Sequence, residues 1–148
     1  MSKSANVPFE TTVLVRDHCL CLHAQRAARA LARRFDDAMR PVGLTSGQFS
    51  LLISLNRPKP PSIMSVANLL AMDRTTLTSN LKPLERRGLV EILVDPDDKR
   101  GRLLTLTPAG YEVLEAAVPI WTRVHEQLES RMKKPGADQL RAGLRALA

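Results

Sequence analysis

Three short segments of this 148-residue chain carry side chains able to do chemistry. The first is DRTTLTSNLKPLERRG at 73–88, where Leu77, Leu81 and Leu84 form one helical stripe. The opposite face presents Arg74, Thr75, Thr76, Thr78, Ser79 and Lys82, with Arg86 nearer the end. Short hydroxyls near the start of a helix can approach base edges and phosphates in a DNA major groove, while Arg and Lys add bidentate contacts or neutralise charge. The second segment, DPDDKRGR at 95–102, sets Asp98, Lys99, Arg100 and Arg102 at a charged hairpin tip. Beside such a helix, a basic tip reaches the adjacent minor groove, where a narrow negative trough favours an inserted Arg. Asp97 and Asp98 are expected to hold these arginines by ion pairing.

The third segment is HCLCLH at 18–23. On a helix, His18 pairs with Cys21 and Cys19 with His23, but on different faces. A closed zinc site needs four ligands, so a metal would require Asp17 or a second subunit to complete it. Cys19 and Cys21 point about 200° apart on a helix and do not bridge within one chain. Three readings stay open for these residues: a redox-sensing thiol, half of a metal site, or small apolar packing. There is no phosphate-cradling glycine loop, metalloprotease His pair or nucleophile elbow, so no catalytic residue and no cofactor are expected.

The elements that position these segments follow from periodicity. Residues 10–40 read as one long helix with Leu14, Cys21, Ala24, Ala28, Leu31 and Phe35 at three- and four-residue spacings, ended by Pro41 and Gly43. Thr45, Ser62 and Asp73 are candidate N-caps for three further helices, and Thr107-Pro108 starts a long one running to about Met132. LVEILVD at 89–95 and LLTLT at 103–107 read as strands. A final short helix covers 138–148. Four glutamates against Arg123 leave 103–130 acidic, whereas 131–148 is basic, which suggests pairing between helices or subunits.

The expected fold is therefore mainly α with a small β-wing, a single domain over 1–148. A winged helix–turn–helix spans 45–107, flanked by N- and C-terminal helices at 10–40 and 108–148 that dimerise. The long terminal helices outrun the surface such a small module can cover, so a second copy of the chain is expected to pack on them.

Composition narrows the partners. Lys and Arg exceed Asp and Glu by 22 to 15, a net charge of +7 that favours a polyanion. Only Phe9, Phe35, Phe49, Tyr111 and Trp121 are aromatic, too few for a base-stacking platform, so double-stranded DNA is favoured over single strands or RNA. No stretch is long and apolar enough for a membrane span, and MSKSANVPFETTV lacks the pattern of a signal peptide, so a cytoplasmic protein with no membrane partner is expected.

DRTTLTSNLKPLERRGLV followed by DPDDKRGRLLTLTPAG resembles the MarR family of bacterial transcription regulators. The resemblance rests on Asp98-Lys99-Arg100-Gly101 in the wing, Leu106-Thr107-Pro108-Ala109-Gly110 entering the long helix, and Gly43-Leu44-Thr45 with Gln48-Phe49 upstream, and it covers about residues 13–132. It implies a homodimeric regulator, a repressor released from an inverted-repeat operator by a small-molecule effector or by oxidation. Asp98 would be the wing's structural acid and Arg100 its minor-groove finger. A ligand cleft would lie between the first, second and fifth of the helices read above. Ser79 stands where many members carry Arg, and Ala71 where a turn glycine is common. Cys21, eight residues before Arg29, sits where the peroxide-sensing branch keeps its thiol. The alternative is a winged-helix module for protein–protein or architectural contacts.

Overall fold

The computed structural model describes residues 6–148. In chain order these form α1 (Phe9–His18), α2 (Leu20–Met39), a single 3₁₀ turn (Arg40–Val42), α3 (Ser46–Leu55), α4 (Ile63–Leu69), α5 (Arg74–Arg86), β1 (Val90–Val94), β2 (Arg102–Leu106), α6 (Pro108–Ser130) and α7 (Ala137–Ala146). Mainly helical architecture with a two-stranded wing is the fold that the residue pattern predicts.

The caps fall on the residues whose side chains can accept from exposed helix N–H groups. Thr45 and Gln48 form a reciprocal capping box on α3. Ser62 Oγ accepts from Ser65, Asp73 from Thr76 and Thr107 Oγ1 from Gly110. The predicted helix over 10–40 is two helices instead. Cys19 has an extended backbone (φ −70°, ψ 110°), ends α1 and caps α2, with Sγ accepting the Leu22 N–H at 3.4 Å. The imidazoles on either side occupy carbonyls near the break: His18 Nδ1 donates to Leu14 O (2.9 Å) and His23 Nδ1 to Cys19 O (2.7 Å). No Pro or Gly marks the break, so apolar periodicity runs through it in the sequence.

β1 and β2 pair antiparallel from Val90 opposite Leu106 to Val94 opposite Arg102. Leu103 also bridges to Ser62, and Leu104 N–H donates to Pro61 O at 2.9 Å, stitching the wing to the start of α4. The core lies between these pieces: Leu52 of α3, Val66 of α4, Leu77, Leu81 and Leu84 of α5 and Leu104 of β2 are inaccessible to solvent. The entry to α6 is fitted closely. A Cβ at Gly110 would collide with the Leu89 carbonyl, which accepts the Thr107 N–H, while the Thr107 hydroxyl donates to Gly88 O.

The terminal helices contribute little to that core. No residue of α1 or α7 is buried, and Met39 alone is buried in α2. Phe9 is 72% exposed and Leu147 62%. Arg141 joins α7 to α6, donating to Glu129 and Asp138 at 2.6 Å each; these two carboxylates hold its guanidinium protonated still more firmly than usual. The acidic and basic halves of the C-terminal region thus meet between helices.

Candidate nucleic-acid interface

The three buried leucines of α5 fix the helix's rotation, so its remaining side chains must face outward. Arg74, Thr75, Thr78, Ser79 and Lys82 line one shallow surface groove. At 100° per residue, Thr75, Ser79, Lys82 and Arg86 fall on the line opposite the leucines. Thr78 flanks it, and Arg74, in the first turn, lies nearer the leucine side. Arg74, Lys82 and Arg86 form no ion pair among the described residues.

Thr76 behaves differently from the other hydroxyls. Its N–H donates to Asp73 Oδ1 and its Oγ1 donates to Asp73 Oδ2, both at 2.8 Å. These two bonds hold the Asp73 carboxyl below its usual range, the backbone bond contributing most. Thr76 is a cap partner, set on the flank of the helix away from the groove.

The turn between α4 and α5 places Ala71 at φ 50°, the left-handed region where a side chain is strained. Ala71, standing where the family pattern commonly has a turn glycine, thus adopts a conformation that glycine takes without strain.

In the wing, Asp98 Oδ1 accepts the Arg100 N–H (3.0 Å), and Asp95 Oδ1 accepts the Asp97 N–H (2.9 Å). Arg102 Nη1 donates to Lys99 O (3.1 Å) and Gly101 O (3.0 Å). The expected ion pairing of Asp97 and Asp98 with the arginines does not form. Exposed ion pairs are weak, whereas the tip's backbone N–H and C=O groups need partners, and an aspartate two residues before an N–H supplies one. Arg102 therefore braces the tip from below, and Lys99 and Arg100 are left exposed with no ion pair among the described residues.

The HCLCLH segment does not gather into a site. His18 and His23 are committed to backbone carbonyls, Cys19 is half-buried at the cap and Cys21 is exposed. Among the described residues no three His, Cys, Asp or Glu side chains converge on a metal position, and no helix is long and apolar enough to cross a membrane.

A cavity of about 360 Å³ opens between α2, α3 and α6. Phe35, Phe49 and Trp121 supply aromatic walls, Ile53 and Val118 aliphatic ones, and Ser46 and Ser50 the polar atoms. Trp121 also stacks on His125, with ring centroids 4.7 Å apart. These lining residues were not singled out by the sequence reading, because each looks like an ordinary core position on an amphipathic helix. The family resemblance points to a cleft between these same three helices, and the chain's single tryptophan is the one residue-level signal for it.

A polar helix face beside a basic hairpin tip, on a helix–turn–helix scaffold, defines a winged helix–turn–helix regulator rather than an enzyme. Comparison with known proteins agrees. The MarR family model matches residues 44–101. The repressor MprA of Escherichia coli is 31% identical over 143 residues, covering 94% of this chain and 77% of that protein. The activatory protein BadR of Rhodopseudomonas palustris is 36% identical over 93 residues, covering 61% of this chain and 53% of BadR. The crystal structure of the M. tuberculosis regulator MosR in complex with DNA superposes with a TM-score of 0.80 at 33% identity, covering 88% of this chain and 93% of that one. The chain belongs to the MarR family of transcription regulators.

Proposed function

We propose that the protein is a dimeric, cytoplasmic repressor that binds an inverted-repeat DNA operator and is released by a small molecule or by oxidation. The observation that carries the DNA reading is the row Thr75, Ser79, Lys82 and Arg86 on α5, set opposite the buried leucines, together with the exposed Arg100 of the wing. α5 would enter the major groove, with Thr75, Thr78 and Ser79 at base edges and Arg74, Lys82 and Arg86 at bases or phosphates. Lys99 and Arg100 would follow the adjacent minor groove, with Asp98 and Arg102 shaping the tip. The DNA complex of MosR supports this reading.

Dimerisation is supported by the exposed apolar residues of the terminal helices, including Phe9, Leu14, Leu140 and Leu144, which a second copy would cover. The effector site is the cavity between α2, α3 and α6, whose volume lies within the range of small-molecule pockets. Repression rather than activation follows MprA, which aligns over more of its length than BadR.

Selection of bound fragments from random DNA tests the proposal. The expected product is an inverted repeat with half-site centres about 10 bp apart, one helical turn. Its affinity should fall with salt at a log–log slope near −5 to −9, since the dimer would neutralise about 6–10 phosphates. A selected site without two-fold symmetry, or a slope shallower than about −2, overturns the reading in favour of a protein-contact module.

A further inference from the structure

The chemistry of the α2–α3–α6 cavity selects among effectors. Among the described residues no Lys, Arg or His side chain lines it. The feature beside it that could attract an anion is the N-terminus of α3, which begins at the lining residue Ser46. Two of its N–H groups are already taken from within the chain. Asp36 Oδ1 accepts the Ser46 N–H at 2.6 Å, while Gln48 N–H is taken by Thr45 Oγ1 at 3.1 Å. A carboxylate entering the cavity would therefore meet the Asp36 carboxylate beside Ser46, and no Lys, Arg or His among the described lining residues. The His125 ring, which stacks on Trp121, has its Nδ1 3.4 Å from Glu129 Oε1, so a carboxylate already faces it.

We propose that the cavity takes an uncharged aromatic molecule of one or two rings, and that Asp36 is the residue that rejects aromatic carboxylates. This rests on the reading of the cavity as the effector site. Phe35, Phe49 and Trp121 supply faces and edges for a flat apolar ring, and the Ser46 and Ser50 hydroxyls can hydrogen-bond a neutral amide, phenol or carbonyl. Burial of an aromatic ring against these walls drives binding, and burial of an unpaired carboxylate opposes it.

Trp121 is the chain's single tryptophan and lines the cavity, so its fluorescence reports occupancy directly. The probes are para-tert-butylbenzamide and para-tert-butylbenzoate, matched in shape and differing in charge. Affinities are measured by Trp121 fluorescence and by calorimetry on the wild type and on Asp36→Asn, which keeps an acceptor for the Ser46 N–H. The wild type should bind the amide at least about tenfold more tightly than the carboxylate, and Asp36→Asn should narrow that gap to about threefold or less by gaining affinity for the carboxylate. Equal or tighter binding of the carboxylate to the wild type overturns the proposal. So does an unchanged gap in Asp36→Asn, or failure of both probes to bind. Operator binding by the same ligand-free preparations separates the cases: if it is intact, the effector assignment alone has failed, and if it is lost, the regulator reading has failed with it.

Discussion

The Thr76 hydroxyl donates to the Asp73 carboxylate at 2.8 Å, so one of the polar side chains at the start of α5 is spent on the helix rather than on a ligand. Thr76→Val should therefore leave operator affinity close to wild type while lowering thermal stability. Thr75→Val and Ser79→Ala, which alter the exposed row, should do the reverse. Gel-shift titration alongside thermal unfolding checks both halves.

The same pair sets a pH dependence. Asp73 has a folded-state pKa below its ordinary value of 3.8, so the charged form is favoured by folding. Its contribution is complete above about pH 4 and is lost as the pH falls through the lowered pKa. Wild type and Asp73→Asn, which keeps a capping oxygen but no charge, should show their largest stability difference near neutral pH and converge at lower pH. Urea unfolding across that range measures it.

The wing separates two arginines of similar sequence context. Arg100→Ala should weaken operator binding without lowering stability, reducing the salt slope by about two for the dimer, one for each subunit. Arg102→Ala removes the donor to Lys99 O and Gly101 O, so it should weaken binding by loosening the tip, with a smaller change in slope. Salt titrations of both variants distinguish a contact from a brace.

Ala71 holds φ 50° in the turn that orients α5 against α4. Ala71→Gly should stabilise the protein by about 0.5–1 kcal/mol, since relief of left-handed strain exceeds the added freedom of the unfolded chain. Equilibrium unfolding in urea gives the value directly.

Cys19 caps α2 through its sulfur, and Cys21 lies exposed two residues on. Oxidation of Cys19 would remove that acceptor and reshape the α1–α2 break, while oxidation of Cys21 would add polar bulk to a surface expected at the dimer interface. Mild peroxide should lower operator affinity of the wild type and less so of Cys21→Ser. Equal affinities in all four conditions return both cysteines to a structural role.

Local signals in the sequence were enough for the winged module. Leu77, Leu81 and Leu84 at helical spacing settle which face of α5 is buried, and thereby which residues lie outside. Ser62, Asp73 and Thr107 announce helix starts because a cap is a contact between residues two or three apart. The hairpin is legible for the same reason, from two branched apolar runs around a charged tip. What the sequence could not convey depends on groups brought together across distance or on a choice among equal local options. The break at Cys19 interrupts no apolar pattern, and Arg102 could have met an aspartate or a carbonyl with equal ease from its place in the chain. The cavity exists only because α2, α3 and α6 converge, and its charge character is decided by Asp36 reaching Ser46, ten residues away, after the turn of Arg40–Val42 has folded one helix back onto the next.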